Sequence, residues 1–366
     1  ELKELKKLIE RLKIIIGSKK EQYNIVKEEL SQIKRAYKTD RRSEVVSSFD
    51  KIKIEYDEKA SSNVIAESQS YVLVTNESKY LKLLTPKGYA QSARNTGVKF
   101  SYTDSAINVA GDDKLLIFTK NGACIRLAVS DIPEGRWKDL GASIQSLADV
   151  EEEDSIVKVF VANEMPVGRV IFVTRQGMVK ATEWKEYECR NAIFQAIKLR
   201  LNDEVITVEN DNPNKTMFYV TKYGMGLNSE KKDIPTQGRI AGGVAGINLN
   251  DNDEVIFAAS VEKNTSVVTI TNSGFAKNSK TSEFDISVRN RKGLKFNKFN
   301  DKTGSFVAFA SLYNKDDEII LVDKSNEFSV VNMSEVKESP RDTAGYKLID
   351  KKLVKGYRHR MNIDKN

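Results

Sequence analysis

The sequence is poor in the residues from which metal centres and redox sites are built. Its 366 residues include two cysteines, Cys124 and Cys189, and a single histidine, His359. A zinc site takes about four Cys, His or acidic ligands, so a Cys/His site of normal ligand number cannot be assembled. Two cysteines far apart in the chain fit a reducing cytosol, where such residues are usually small buried apolar side chains.

Long apolar runs and nucleotide-binding loops are also missing. No run approaches the ~20 residues of a membrane span, and no basic-then-apolar signal segment opens the chain. There is no G-x-x-x-x-G-K-[ST] loop, and the glycines from Gly238 to Gly246 precede a strand instead of following one, which excludes a dinucleotide fingerprint. With 40% hydrophobic and 30% charged residues, the segment is typical of a soluble binding module without a cofactor. It begins at Glu1, so we expect a piece of a longer protein.

Positive charge is unevenly distributed. Residues 1–42 contain 13 Lys and Arg against 7 Asp and Glu, and they carry +6 of the net charge of +7. The remainder is nearly neutral, so an argument for nucleic-acid binding must rest on local clusters. One cluster spans residues 289–298 without an acid, and another lies between Lys347 and Arg360.

The first 42 residues have the apolar spacing of helices. Alternating steps of three and four separate two sets of residues: Leu2, Leu5, Ile9, Leu12, Ile16 and Tyr23, Val26, Leu30, Ile33, Tyr37. They predict two short helices separated by Gly17 and Ser18. One narrow stripe per helix cannot be buried alone, so we expect the helices to pack as an antiparallel hairpin or against a partner. Residues 43–62 are expected to be a linker.

A turn sequence recurs six times in the rest of the chain. V-T-x-x-G or a close variant ends at Gly122, Gly177, Gly224 and Gly274, Asn326 replaces the glycine in a fifth copy, and a longer turn near Ser78 lacks one. The spacings are 44, 55, 47, 50 and 52 residues. Each turn joins two apolar runs, which is typical of a β-hairpin because glycine adopts positive φ readily. We therefore predict a mainly β, six-bladed, propeller-like domain over residues 63–366, with the helices confined to residues 1–42.

Three motifs resemble one protein family. QGRIAGGVAGI at 237–247, which follows a V-T-x-x-G turn, resembles a motif in the C-terminal domains of bacterial type IIA topoisomerase A subunits. GRWKDLG at 135–141 resembles the matching element in the topoisomerase IV branch. KEELSQIKRAYKTDRRSEV at 27–45 resembles the helix that leaves the breakage-reunion core. The motifs occur in the family's order and span nearly the whole chain.

The resemblance implies a six-bladed β-pinwheel of four-stranded antiparallel blades, preceded by a helical hairpin from the core, with double-stranded DNA bent around its basic rim. Gyrase members carry a Gln-, Arg- and Gly-rich box in the first blade, of which only Gln91, Arg94 and Gly97 remain here. This departure favours the topoisomerase IV branch. The family's nucleophilic tyrosine lies in the core, upstream of Glu1, so the segment is not expected to be active alone.

For the whole protein, the resemblance implies an ATP-hydrolysing DNA topoisomerase of the bacterial cytoplasm, associated with the nucleoid. It would be an A-subunit homodimer joined to an ATPase B subunit in a heterotetramer. ATP and Mg²⁺ would be used by other domains and subunits, and no membrane partner is expected.

Basic residues recur at two places in each repeat and are the candidate DNA contacts. On or just past the turns stand Lys82, Lys120, Arg126, Arg175, Lys180, Lys222 and Lys277. In the loops between blades stand Arg94, Arg136, Lys138, Lys185, Arg190, Arg239, Arg289, Arg291, Lys292 and Lys295. If these residues occupy the same position in every repeat, they would lie along one circumference of the domain and could contact the phosphates of bound DNA. For any single lysine, the simpler explanation of its presence is that turns are exposed and exposed residues are often lysine. Trp137 and Trp184 are interpreted as residues that pack within the blades.

Two other interpretations are compatible with the sequence. Within the family, the chain could belong to gyrase with a degenerate box. From another class, it could be a propeller-like scaffold for protein interactions. Binding to duplex DNA that weakens as salt rises would separate the topoisomerase interpretations from the scaffold.

Overall fold

The computed structural model describes residues 2–37, 69–92, 102–162, 167–360 and 362–363. The chain divides into two compact units, residues 1–63 and 64–366. The predicted linker at 43–62 and the candidate contact Arg94 lie outside the described residues. No helix in the described part of the chain is long and apolar enough to cross a membrane.

The first unit contains the two predicted helices, α1 (Leu2–Gly17) and α2 (Lys19–Tyr37). Ser18 separates them, and its Oγ accepts a hydrogen bond from the Glu21 backbone N–H at 3.5 Å. No residue of either helix is buried. Stripe residues such as Leu5 and Leu30 are 57% and 60% exposed. The helices are present as predicted, but they do not bury their apolar stripes against each other.

The second unit consists mainly of short strands. In chain order they are β1 (Ser70–Asn76), β2 (Tyr80–Leu84), β3 (Thr103–Ala110), β4 (Lys114–Thr119), β5 (Ala123–Ala128), β6 (Ala142–Ser143), β7 (Ile156–Val161), β8 (Arg169–Thr174), β9 (Met178–Glu183), β10 (Ile193–Gln195), β11 (Val205–Asn210) and β12 (Thr216–Thr221). They continue with β13 (Met225–Ser229), β14 (Val244–Ala245), β15 (Val255–Val261), β16 (Ser266–Thr271), β17 (Phe275–Lys280), β18 (Ile286–Ser287), β19 (Leu294–Lys295), β20 (Val307–Leu312), β21 (Glu318–Asp323), β22 (Phe328–Asn332), β23 (Tyr346–Lys347) and β24 (Leu353–His359). Two short helices in this unit, α3 (Pro86–Ser92) and α4 (Ile144–Leu147), contradict the prediction that helices are confined to residues 1–42.

All six blades share one plan. A hairpin around each predicted turn is flanked by the next full-length strand of the chain, as β1 and β2 are by β3. The other such sets are β4, β5, β7; β8, β9, β11; β12, β13, β15; β16, β17, β20; and β21, β22, β24. These three strands are antiparallel. Each turn contains a residue with positive φ, from 51° at Ser78 to 81° at Gly122. The predicted hairpins and their turns are confirmed.

A fourth, outer strand is supplied to each of the first five blades by the blade that follows it. β6 lies between β5 and β7 in the chain but pairs with β2 of the first blade. In the same way β10, β14 and β23 pair with β5, β9 and β17, and both β18 and β19 pair with β13. Among the described residues, the sixth blade has three strands. Backbone hydrogen bonds therefore tie consecutive blades together.

The third strands of five blades contribute to one cavity. Residues from β3, β11, β15, β20 and β24 line a central cavity of about 500 Å³. The ring closes where β24 meets β3. The Arg360 backbone N–H donates to the Thr103 carbonyl at 2.9 Å, and the Thr103 N–H donates to His359 Nδ1 at 2.9 Å. The predicted mainly β, six-bladed ring is confirmed.

Apolar side chains fill the spaces between neighbouring blades, so both faces of most hairpin strands are buried. In the second and third blades, Trp184 is 2% exposed, and its Nε1 donates to Asn210 Oδ1 at 3.0 Å. Trp137 is half-buried and meets Tyr89 edge to face, with ring centroids 5.8 Å apart. Both tryptophans are packing residues, as interpreted from the sequence.

Candidate nucleic-acid interface

The loops that lead into the outer strands cross the neighbouring hairpin at very short range. The crossing glycines are Gly141, Gly243, Gly293 and Gly345, with φ between 75° and 105°. A Cβ at these positions would lie 2.3–2.6 Å from a backbone carbonyl oxygen of the hairpin. That distance is shorter than van der Waals contact, so these positions accept only glycine without movement of the backbone.

Three buried lysines donate hydrogen bonds to the backbone of these loops. Lys82, Lys180 and Lys277 occupy the same place in the second hairpin strand of blades 1, 3 and 5, and they are 3%, 0% and 0% exposed. Lys82 Nζ donates to the carbonyls of Trp137 and Asp139 at 2.7 and 2.6 Å. A lysine in this position donates hydrogen bonds to loop carbonyls that have no backbone N–H partner where the loop crosses the hairpin.

The other two lysines repeat this arrangement. Lys180 Nζ donates to the carbonyls of Ala196 and Arg239 at 2.7 and 2.5 Å. Lys277 Nζ donates to the carbonyls of Phe296, Arg341 and Thr343. Burial lowers the pKa of Lys180 to about 7 and the pKa of Lys277 to about 8.

The burial of these three lysines does not support the prediction that they contact DNA. The side chains of Lys82, Lys180 and Lys277 are enclosed and their Nζ atoms are committed to backbone carbonyls, so a phosphate cannot reach them without unfolding the loop. The sequence could not show this, because Lys next to a turn is ordinarily exposed.

The predicted contacts at the turns form ion pairs across blades 2 to 4. Lys120 pairs with Glu204 at 2.8 Å, and Arg175 pairs with Glu204 at 3.4 Å and Glu254 at 3.8 Å. Lys222 pairs with Glu254 at 2.9 Å. Lys222 and Glu254 also line the central cavity. Of these cations, Lys222 therefore lies beside the central cavity and not on the outer loops, which differs from the expectation of one circumference.

Three arginines of the outer loops link one outer strand to the previous one. Arg239 donates to the carbonyl of Gln195, Arg289 to Ala245 at 3.0 Å, and Arg341 to Lys295 at 3.1 Å. Arg289 Nε also donates to the Asp233 carbonyl at 3.1 Å. The guanidinium groups keep further N–H donors that point to no described partner, so they can serve both structure and an external anion.

The remaining loop cations are exposed at the outer edge. Arg136 pairs with Asp139 at 3.4 Å. Within the described residues, no side-chain hydrogen bond or ion pair is found for Lys138, Lys185, Arg190, Arg291, Lys292 and Lys295, which are all exposed. Arg126 is half-buried, donates to the Tyr187 carbonyl at 3.3 Å, and lines a cavity of about 330 Å³ together with Arg190. The free cations in the outer loops around β6, β10 and β19 are suited to contact phosphates of a polyanion.

Sequence reasoning missed Arg341. A signal was available, because Arg239, Arg289 and Arg341 each stand four residues before a crossing glycine. The C-terminal basic cluster, in contrast, is not a free tail. Arg358 lies in β24 and pairs with the buried carboxylate of Asp317.

Comparisons with known proteins agree with this architecture. The family model of the DNA gyrase C-terminal domain, a beta-propeller, matches residues 113–163, 220–262 and 265–312. The A subunit of DNA topoisomerase 4 from Bacillus subtilis (strain 168) is 31% identical over 259 residues, which are 69% of this chain and 31% of the relative. The A subunit of DNA gyrase from Mycoplasma genitalium is 26% identical over 357 residues, which are 95% of this chain and 42% of the relative. The chain thus spans less than half the length of these curated relatives.

Solved structures show the same fold. The C-terminal domain of DNA topoisomerase IV superposes with a TM-score of 0.72 at 24% identity, covering 80% of this chain and 94% of that one. The DNA gyrase A C-terminal domain superposes with a TM-score of 0.58 at 19% identity, covering 80% and 100%. The chain belongs to the family of C-terminal β-propeller domains found in the A subunits of DNA gyrase and topoisomerase IV.

Proposed function

We propose that the propeller binds duplex DNA along its outer loops and bends it. The observation that carries the proposal is the set of exposed, unpaired cations in the outer loops around β6, β10 and β19, at Lys138, Lys185, Arg190, Arg291, Lys292 and Lys295. Phosphate contacts made by such cations are independent of base sequence. Their placement on the edge of a ring favours a curved DNA path over a straight one.

In the whole protein, we propose that this domain holds DNA segments for a type IIA topoisomerase of the bacterial cytoplasm. The core of the A subunit, as a homodimer, would cut and rejoin DNA. A separate ATPase B subunit would complete a heterotetramer, and other domains would use ATP and Mg²⁺. Family membership supports this assignment, as does the similarity to the A subunits of topoisomerase 4 and gyrase.

Between the two branches, we propose topoisomerase IV. The gyrase box is reduced to Gln91, Arg94 and Gly97, and residues 43–366 are nearly neutral, which favours a local grip on DNA over extended wrapping. With the whole A and B subunits, we expect ATP-dependent relaxation and decatenation without the introduction of negative supercoils. Net negative supercoiling of a relaxed plasmid would contradict the assignment to topoisomerase IV.

Salt-dependent binding to duplex DNA tests the interface. Each phosphate contact contributes a slope of roughly −0.9 to log K against log salt, so about six contacts lose on the order of a thousandfold in affinity between 50 and 200 mM salt. Replacing both Arg291 and Lys292 by alanine should make the slope shallower by up to roughly two units. Arg289 is left intact because its side chain bonds to two carbonyls, and its loss would mix a structural effect with an electrostatic one.

A matched control removes the same charge elsewhere. Lys263 and Lys315 are exposed in turns that join a third strand to the next blade, and neither is among the candidate contacts. Replacing both by alanine should leave affinity and slope nearly unchanged. Equal losses in the two double variants would indicate a general charge effect and remove the outer loops as the binding surface. Complete absence of duplex binding in the unaltered protein would favour the protein-interaction scaffold.

A further inference from the structure

The hairpin of the second blade carries a cation at a position where the other blades have none. Arg126 pairs with Leu116 in the register of β4 and β5. The equivalent position in blades 1, 3, 4, 5 and 6 is held by Leu83, Ala181, Asn228, Asn278 and Val330. The common plan of the blades therefore does not require an arginine here, and Arg126 needs an explanation that is specific to the second blade.

The Arg126 side chain engages little of its hydrogen-bonding capacity within the chain. It is half-buried, and its Nη2 donates to the Tyr187 carbonyl at 3.3 Å. In the part of the chain that the structure describes, no carboxylate pairs with it. A guanidinium group has five N–H donors, so most of them are not used by that carbonyl. Because enclosed cations are usually paired with an anion, Arg126 is a candidate for binding an anion from outside the chain.

Arg126 lines a pocket in which positive charge is in excess. The pocket has a volume of about 330 Å³, and its described lining also includes Lys114 at the start of β4, Arg190 in the loop that precedes β10, and Glu188 as the one acid. Three cations against one carboxylate leave two positive charges in excess. Lys114 and Arg190 are exposed, so a ligand can reach them from solvent. The volume lies at the lower end of the roughly 300–1,000 Å³ typical of small-molecule sites, which suits a phosphate group with part of the sugar that carries it.

Backbone hydrogen bonds fix the walls that carry these cations. The Arg126 N–H donates to the Ala192 carbonyl at 2.7 Å, and the Ala162 N–H donates to the Lys114 carbonyl at 2.7 Å. The loop that bears Arg190 is also fixed where it enters β10, which pairs with β5. A ligand would therefore have to order little of the protein, and binding to such a preorganised site loses little free energy to ordering.

We propose that this pocket binds a phosphate group, with Arg126 and Arg190 donating guanidinium N–H groups to its oxygens and Lys114 adding an ammonium group. Arginine matches the geometry of phosphate and can donate to two of its oxygens at once. A phosphate offers more acceptor oxygens than a carboxylate, so three convergent cations favour it. Two sources can supply the group. One is the backbone of bound DNA, in which case the site rests on the proposed function and adds a pocket to it, and the other is a phosphorylated small molecule.

A cysteine in the lining reports whether the pocket is occupied. Cys189 is half-buried and lines the pocket, whereas Cys124 is 0% exposed and burial raises the pKa of its thiol. Iodoacetamide should therefore alkylate Cys189 much faster than Cys124 in the intact folded chain. At a ligand concentration about tenfold above Kd, roughly one tenth of the pockets are free, so the alkylation of Cys189 should slow about tenfold. Sodium chloride at the same ionic strength should not slow it.

Two probes, inorganic phosphate and a short duplex, separate the sources. Protection of Cys189 by the duplex and not by inorganic phosphate identifies a phosphate of the DNA backbone, and the reverse identifies a free phosphate compound. Both outcomes support the pocket. A duplex that binds without protecting Cys189, together with no protection by inorganic phosphate, would overturn the pocket and leave the proposed function standing. Protection by inorganic phosphate in a chain that binds no duplex would support the pocket and contradict the proposed function.

Two variants link the protection to the cations. Arg190→Gln changes an exposed side chain and should leave the melting curve unaltered, and Arg126→Gln changes the half-buried one. Each should raise the ligand concentration for half-maximal protection about tenfold, because each removes a hydrogen bond between charged groups. Arg200→Gln is the matched control, since Arg200 is exposed in the turn before β11 and is not in the described lining of the pocket. Unchanged protection in Arg190→Gln, or an equal loss in Arg200→Gln, would show that the pocket is not the phosphate site.

Discussion

Replacing Gly243 by valine should destabilise the propeller through a backbone clash. Gly243 has a φ of +82°, and a Cβ there would lie 2.6 Å from the carbonyl oxygen of Val179 and 3.0 Å from its carbonyl carbon. The obstacle is backbone of β9, so a side-chain rotation cannot relieve it. The loop must move away from the hairpin, which breaks the pairing of Val244 with Val179 and of Ala245 with Met178.

The size of the effect follows from two contributions. A β-branched residue forced into the left-handed region costs about 1–2 kcal/mol. Loss of two backbone hydrogen bonds costs about 1 kcal/mol each. Together they lower the free energy of unfolding by about 3–4 kcal/mol. Domains of 150–250 residues lose about 2–4 °C in Tm per kcal/mol, so we expect a decrease of about 5–15 °C.

Thermal unfolding followed by circular dichroism measures this decrease. Gly238→Val is the matched control, because Gly238 lies in the same loop and a Cβ there would meet nothing within 4 Å. We expect the control to melt within about 2 °C of the unaltered protein, as surface substitutions usually do. If Gly243→Val melted like the control, the close crossing would not exist as described. Unchanged melting with lost DNA binding would instead identify Gly243 as a direct contact of the DNA backbone.

Two further predictions concern buried titratable groups. Lys180→Met removes the ammonium donor to the Arg239 carbonyl and one of the two donors to the Ala196 carbonyl, which keeps its bond from Tyr187 Oη. It should lower Tm, whereas Lys185→Met at an exposed position should not. Because burial lowers the pKa of Lys180 to about 7, the folded state binds fewer protons than the unfolded state above that pH. The difference in stability between the unaltered protein and Lys180→Met should therefore be larger at about pH 9 than at about pH 6. Burial also lowers the pKa of His359. The stability that this shift contributes is therefore lost as pH falls through about 6.5, because the unfolded state then binds a proton more readily than the folded state. His359→Gln should lack this loss in melting curves taken from about pH 7 to about pH 5. Asp104, whose pKa burial raises to about 7, acts in the opposite sense, so each variant must be compared with the unaltered protein at every pH.

The hairpins and their number followed from the sequence because the signal is local. A turn that requires positive φ tolerates few residues, and Gly122 or Asn326 marks it without reference to the rest of the fold. The outer strands were not predicted individually. They are only two or three residues long, and each pairs with a hairpin of the preceding blade, so no periodicity within the strand reveals it.

The buried lysines show a second limit. In a sheet with one solvated face, a polar residue between Leu81 and Leu83 would point outward. Here both faces of the hairpin are covered by neighbouring blades, and Lys82 is enclosed with its Nζ on loop carbonyls. The apolar runs on either side of the turn correctly predicted the strands, but the usual link between polarity and exposure does not hold in a ring of stacked blades.

The outer loops place structural arginines next to exposed, unpaired cations. Arg239, Arg289 and Arg341 use guanidinium N–H groups to bind the carbonyls of the previous outer strand, and buried lysines hold the carbonyls of two of these same arginines. A repeat that fixes its loops in this way holds the backbone beside the unpaired cations, such as Arg291 and Lys292, in place. The connections between blades would then set the curvature of a bound polyanion. Substitution of an unpaired cation would change binding alone, whereas substitution of a structural arginine would change both binding and stability.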